Sequence, residues 1–382
     1  MNDHGQPALT RSLTRRRFLI GAAITGVGVT ALDGLAGGWL PLSRPRPLRW
    51  MSPRGTLDVM DDYHLWTAKE LGYFRLAGVD VELLPGPQDP QAMMQALAAG
   101  EADVGFPSPA TLVSAVDRGL PLVSVFQTFP QQVFSLAVPR LSPITTAAHL
   151  AGRTIAVGSL TWRTIVDPML VDAGVEVRTV RYVEGGPGWN HLLDRGRADA
   201  ALVWDGLRAD WEARGIHHRS LPWERWSRLP SNSYVVRRDE LDDPVRRDLH
   251  VRFLRGAVMG LELARRNPRA AAQLAYRSLP DLRASLSPQR ALDWMLQIAR
   301  GYGAAARSGH GWGFHYHDRW QRFSAAAADL GYAKPLRTDA LVTNSLVAPA
   351  NSGDRERVMA DALGFELDRD FKRTRLPAST GL

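Results

Sequence analysis

Three clusters of side chains in this sequence are of types that could do chemistry. Asp61-Asp62-Tyr63-His64 sets two carboxylates beside a phenol and an imidazole, a group able to accept hydrogen bonds from a donor-rich molecule or to move protons. Ser159-Leu160-Thr161-Trp162-Arg163 gathers two hydroxyls, an indole and a guanidinium, and an arginine at a helix start can grip a carboxylate, sulfonate or phosphate at two points. His310-Gly-Trp-Gly-Phe-His315-Tyr-His317 carries three imidazoles, of which His315 and His317 could chelate a metal from an extended segment. No third ligand lies in sequence reach and the helical His-Glu-x-x-His spacing is absent, so a loop packed on neighbouring structure is expected there, and no metal.

Other chemistries drop out by residue type. The chain has no cysteine, which removes disulfides, thiolate metal sites, iron–sulfur clusters and cysteine nucleophiles together. There is no Gly-x-Ser-x-Gly elbow, and Gly185-Gly-Pro-Gly188-Trp189 lacks the Lys and Ser/Thr of a phosphate loop. The net charge of +8 comes from 47 basic residues, only three of them lysines (Lys69, Lys334, Lys372), scattered among acids as in Arg237-Arg-Asp-Glu-Leu-Asp-Asp243. Nucleic-acid surfaces cluster one sign of charge, so no nucleic-acid partner is expected.

At the N-terminus, Arg15-Arg16-Arg17 precede an apolar, glycine-dotted run from Phe18 to Leu32, followed by Gly34-Leu-Ala-Gly37. The run is shorter than the ~20 apolar residues a spanning helix needs. Basic flank, apolar run and small residues read as a twin-arginine-like signal peptide over residues 1–36, with an ordinary secretory signal or a retained anchor as the alternatives. Export to the periplasm or the outer face of the cytoplasmic membrane follows. Residues 37–55, rich in Pro and Arg, read as a linker.

With 382 residues and 45% hydrophobic side chains the chain suffices for about two domains. Short apolar runs alternate with helical patterns, the signature of βαβ units around parallel sheets. Strands are expected at Thr56–Asp61, Val79–Leu84, Ala102–Phe106 and Leu122–Gln127, with helices near 63–73, 89–99 and 109–118. A second series follows, with strands at Thr154–Ser159, Val177–Val183 and Ala200–Trp204 and helices near 162–173 and 189–195. Ala77-Gly-Val-Asp-Val81 matches Ala173-Gly-Val-Glu-Val177, and Gly100-Glu-Ala-Asp103 matches Gly196-Arg-Ala-Asp199, both at an offset of 96. Each is a helix-to-strand junction with glycine as the left-handed cap. Two similar α/β lobes are expected, with a ligand cleft between them and two hinge crossings, near Pro139–Pro143 and Leu229–Ser233. The expected division is 56–139 for the first part of lobe 1, 140–232 for lobe 2, and 233–350 for a return strand (Ser233–Arg237) and C-terminal helices packed on lobe 1. Residues 351–382 read as a tail.

This architecture places the candidate site. Open α/β sheets bind at the carboxyl ends of their strands, where Asp61, Asp62, Tyr63, Ser108, Phe129, Ser159, Thr161, Trp162, Arg163, Gly188, Trp189, Trp204 and Asp205 all fall. Ser108 also suits the cap of the next helix, N-capping is the competing role for one of the two aspartates, and His64 reads as a polar loop residue. Tyr63, Phe106, Phe129, Trp162, Trp189 and Trp204 lie at or just beyond strand ends. Such rings could sandwich a planar ligand, and the acidic pair disfavours an anion unless it is neutralised, whereas Arg163 favours one.

Ala68-Lys-Glu-Leu-Gly-Tyr-Phe74, Gln95-Ala-Leu-Ala-Ala-Gly-Glu-Ala-Asp-Val-Gly105, Leu150-Ala-Gly-Arg-Thr-Ile-Ala-Val-Gly158, Gly196-Arg-Ala-Asp-Ala-Ala-Leu-Val-Trp204 and Leu341-Val-Thr-Asn344 follow one another in order. Over residues 55 to 350 the chain resembles the periplasmic solute-binding proteins of ABC importers, in the branch of the alkanesulfonate, taurine and nitrate binders and the binders of the thiamine pyrimidine precursor. The resemblance implies a monomer with no cofactor that captures a small molecule and delivers it to a membrane permease and its ATPase. It implies first ligand contacts in the loop at Asp61-Asp62-Tyr63. The ligand is expected to be a planar heterocycle like the thiamine precursor, with a sulfonate, taurine, nitrate or aromatic carboxylate as the alternative. An extracytoplasmic enzyme on the same fold is a further one. Desulfinase relatives use a cysteine nucleophile and the related pyrimidine synthases a cysteine-rich motif, and this chain has neither.

Overall fold

Leu48-Arg-Trp-Met51 forms the first strand, β1, with Leu48 and Trp50 buried in the core. It lies inside the stretch read as a linker, so that reading is corrected. Residues 56–61 are instead a loop ending in a single turn, Met60–Asp62, that runs into the helix Tyr63–Glu70. Their alternation is real but serves packing: Leu57 and Val59 cover the core from outside the sheet. The computed structural model describes residues 47–87, 89–306 and 309–382. The expected signal peptide lies outside the described residues.

The remaining strands are β2 (Val81–Leu84), β3 (Val104–Gly105), β4 (Leu122–Gln127), β5 (Phe134–Val138), β6 (Thr154–Val157), β7 (Arg181–Glu184), β8 (Ala200–Trp204), β9 (Arg219–Pro222) and β10 (Ser233–Arg237). They build two five-stranded sheets of matching plan, β2-β1-β3-β10-β4 and β7-β6-β8-β5-β9. In each, three parallel strands are followed by one antiparallel strand, β10 or β5. The chain therefore crosses to the second sheet between Gln127 and Phe134, earlier than expected, and returns between Pro222 and Ser233. Phe134 pairs with Trp204 and Ser233 with Gln127, so both crossings join the sheets at the carboxyl ends of their parallel strands.

The duplication is visible atom by atom. Gly78 and Gly174 have φ of 81° and 75°, and Gly100 and Gly196 have 74° and 63°, the left-handed caps a side chain would strain. Asp103 Oδ2 accepts the Arg49 backbone N–H at 2.8 Å, and Asp199 Oδ2 accepts that of Thr154 at 2.8 Å. One carboxylate in each lobe thus ties the entry of the third strand to that of the first.

The helices Pro244–Arg266 and Pro268–Arg277 pack on Tyr63–Glu70, as expected for a layer on lobe 1. The helix Pro288–Ala306 also packs on Asp205–Ala213, and His317–Asp329 packs on Arg163–Asp172, both in lobe 2. The C-terminal layer therefore bridges the lobes. Residues 351–382 are folded too: the helices Arg355–Gly364 and Arg369–Lys372 bury Val358 and Phe371. The histidine-rich stretch packs on lobe 1. Gly313 C=O accepts the Gln127 N–H at 2.9 Å, and buried His315 contacts Ser124 Oγ at 2.7 Å through Nε2. The Asn344 side chain accepts the His315 N–H and donates to its C=O, which gives that family-like Asn a structural role. Among the described residues no group of three potential ligands could hold a metal, and no helix is long and apolar enough to cross a membrane.

Candidate functional site

In the loop after β1, Asp61 and Asp62 are both buried. Neither makes a capping bond. They share a cation that the sequence did not flag: the Arg54 guanidinium is paired with Asp62 and lies 3.6 Å from Asp61 Oδ2. Burial pushes both carboxyls upward against the lowering effect of Arg54. Burial alone would lower Arg54, but Asp62 and Asp61 hold it above its ordinary value. Asp61 Oδ1 also accepts the Trp294 indole N–H at 2.9 Å, and the Tyr302 hydroxyl donates to the Asp61 C=O at 3.3 Å. The acid pair is thus partly neutralised, by a residue seven positions upstream of Asp61 and an indole far along the chain.

Tyr63 is buried edge-on to Tyr302, with centroids 5.8 Å apart. His64 is not a polar loop residue. It is buried in the helix with Nε2 2.6 Å from the Tyr234 hydroxyl, and burial lowers its pKa to about 3. Phe106 and Phe129 stack at 6.3 Å, and Phe129 lies 4.2 Å from the Tyr302 ring. These lobe 1 rings are core rather than exposed stacking faces. Ser108 caps its helix as expected, accepting the Thr111 N–H at 3.3 Å.

In lobe 2, Trp162 stands edge-on to Trp189 at 5.2 Å and to Trp204 at 6.2 Å, while Trp189 and Trp204 lie nearly parallel at 6.2 Å. A methyl on Gly158 would meet the Trp162 ring at 2.8 Å, so glycine at the end of β6 is what lets the indoles close over it. Trp189 is buried and donates to the Leu202 C=O at 2.7 Å, which makes it the floor of the cluster. Trp162 and Trp204 are only half-buried. Ser159 bonds the Thr161 N–H at 3.4 Å, Thr161 is exposed and Gly188 is half-buried. Asp205, half-buried, pairs with Arg208 at 3.1 Å.

Arg163 is committed elsewhere. Its guanidinium lies 4.9 Å over the Tyr182 ring and 3.4 Å from Asp167. Asp167 is fully buried and accepts bonds from the hydroxyls of Tyr182 and Tyr332, the latter reaching from the C-terminal layer. With Arg322–Asp172 at 3.7 Å and Gln297–Glu212 at 3.3 Å, it joins that layer to lobe 2. Tyr332→Phe removes the hydroxyl donor from one oxygen of a buried carboxylate, leaving it only the Arg163 guanidinium at 3.4 Å, and is expected to cost about 1 to 3 kcal/mol. A lowered urea midpoint with unchanged m checks it, whereas an unchanged midpoint would remove Asp167 from the interlobe bonding.

The NMT1/THI5-like family model matches residues 62–271, more than half of the sequence. The chain belongs to the NMT1/THI5-like family. No curated protein sequence matches it. Among solved structures it is similar to the periplasmic aliphatic sulphonate binding protein SsuA of Escherichia coli, at 14% identity and a TM-score of 0.56, with 87% of this chain and 97% of that one covered. It is also similar to the ligand-binding component of an ABC-type import system from Staphylococcus aureus, at 13% identity and TM-score 0.55, covering 81% and 99%. A DszB variant in complex with biphenyl-2-sulfinic acid matches at 17% identity and TM-score 0.50, covering 80% and 98%. The fold is that of the periplasmic binding proteins. For this NMT1/THI5-like chain the matched span includes Asp62 and the lobe 2 indoles, while Arg54, Asp61, Trp294 and Tyr302 lie outside it.

Proposed function

We propose that the protein is the extracytoplasmic substrate-binding component of an ABC-type importer. It captures a small planar heterocycle bearing hydrogen-bond donors, of the thiamine-pyrimidine-precursor kind, and delivers it as a monomer to a membrane permease and its ATPase without chemistry. One observation carries the reading: both crossings join the carboxyl ends of the two sheets, and at one of those edges half-buried Trp162 and Trp204 stand over a floor of Trp189. Support comes from the family match and from the import and sulphonate-binding neighbours. Those same neighbours favour the second reading, a sulfonate ligand. An enzyme of cysteine chemistry is disfavoured by the lack of any cysteine.

Stacking contributes ~0.5 to 1.5 kcal/mol per ring beyond area burial. Trp204→Ala, which removes both stacking and burial, is expected to weaken ligand binding at least tenfold. The check is a thermal-shift screen of thiamine-precursor pyrimidines, flavins, aromatic acids, alkanesulfonates, taurine and nitrate, followed by calorimetry on the variant. Ligand at a hundred times its Kd adds ~2.7 kcal/mol to the folded state, within reach of a melting curve. Stabilisation by sulfonates alone would replace the heterocycle with the second reading, and unchanged affinity in the variant would remove Trp204 from the site.

A further inference from the structure

Asp61 does not stop at lobe 1. A methyl placed on Gly206, the second residue of the Asp205–Ala213 helix in lobe 2, would lie 2.1 Å from Asp61 Oδ1 and 2.6 Å from Oδ2. The Asp61 carboxylate is therefore seated directly on the Gly206 Cα, across the junction of the two lobes. A helix start carries roughly half a positive charge and is the natural seat of an anion in an open α/β cleft. Here the chain's own carboxylate holds that seat, fixed from behind by Trp294 and Arg54.

The surrounding charge has the same sign. Asp61 faces a helix that carries Asp205, Asp210 and Glu212, and behind it Asp61 and Asp62 share the Arg54 guanidinium. Asp62 Oδ1 is buried without a hydrogen-bond partner, an acceptor left over after Arg54 has been shared. A bound anion here would meet two buried carboxylates that share one guanidinium, in a poorly solvated place where like charges repel most strongly. A cation or a neutral donor would meet acceptors.

We propose that Asp61, seated on Gly206, sets the charge class of the ligand: the cleft selects a cationic or neutral donor-bearing head group and rejects a sulfonate. The inference rests on the reading that the cleft between the lobes takes a solute, and it narrows that solute.

Calorimetric titration of the full chain with ethanesulfonate, in the wild type and in Asp61→Asn, tests it. The amide keeps the volume of the acid and leaves Arg54 paired with Asp62. The expected result is ethanesulfonate binding at least tenfold tighter in Asp61→Asn than in the wild type. Asp61→Ala supplies the same comparison if the amide variant does not fold. Equal affinity in wild type and variant, or binding to neither, overturns the role of Asp61. Tight ethanesulfonate binding by the wild type overturns it as well, yet leaves solute capture standing. A failure of aminopyrimidines to bind, with the ethanesulfonate comparison as expected, removes the heterocycle and retains the charge selection.

Discussion

Asp103→Ala is expected to destabilise the protein by about 3 kcal/mol, and the matching change in the other lobe, Asp199→Ala, by only about 1. The two acids occupy equivalent places, each accepting a backbone N–H of the first strand at 2.8 Å. Their surroundings differ. Asp103 is 1% exposed and holds Arg246 Nη2 at 2.8 Å and Arg49 Nε at 3.5 Å, whereas the Asp199 side chain is 33% exposed and its Arg153 partner 46%. Removing one member of a buried pair strands the other charge, at ~3 to 5 kcal/mol. The low end applies because Arg246 keeps Glu240. For a chain of this size ~3 kcal/mol corresponds to a melting temperature lower by roughly 5 °C. Parallel melts of the two variants are the check, and equal losses would mean that the repeat, not burial, sets the energy.

Acidification is expected to have a comparable effect. Burial lowers His64 and His315 to about 3, the latter despite the hydrogen bond its Nδ1–H donates to Asn344 Oδ1. Unfolded, each would take up a proton near 6.5. Between pH 6.5 and about 3 the unfolded chain therefore binds more protons than the native one, and stability falls with pH by roughly 1 kcal/mol or slightly more per unit for each histidine. Asp61 and Asp62 act in the opposite sense, since between the unfolded value near 3.8 and their raised native values the native state binds more protons, and stability rises as pH falls through that window. Glu240 is held below its ordinary value by His250, Arg246 and Arg237, although burial opposes this, and it adds to the loss below about pH 4.5. From pH 7 to pH 5 the two histidines together are expected to remove about 3 to 4 kcal/mol. Urea midpoints measured at the two values check it, and His315→Gln should halve the difference. A midpoint that does not move would mean that both imidazoles accept protons in the folded state.

Much of the fold is legible because it is local. The glycine caps at 78, 100, 174 and 196, the Ser108 cap and the apolar runs of β4, β8 and β10 each depend on residues a few positions apart. The offset of the first strand from its expected place has the same origin. Thr56-Leu-Asp-Val carries a strand-like alternation, but sheet membership is decided by pairing, and Leu48–Met51 holds the register against both Val81–Leu84 and Val104–Gly105.

The candidate site divides along the same line. Residue types and loop positions could be read from the chain, and they did gather Trp162, Trp189 and Trp204. The sequence could not say that Phe129 and Tyr63 would be sealed under Tyr302 and Phe106 against Phe129 and Tyr234, nor that Arg163 would turn to Tyr182 and Asp167.

By itself the amino-acid sequence determined two repeated α/β lobes, their junction glycines and the absence of cysteine chemistry. Only the tertiary structure decided what the acidic pair faces: Arg54 and Trp294 behind it and Gly206 in front. Helix caps and strand patterns arise from short-range backbone geometry, whereas the charge and exposure of a buried group are set by neighbours that folding brings from elsewhere in the chain, here 233 residues away for Trp294.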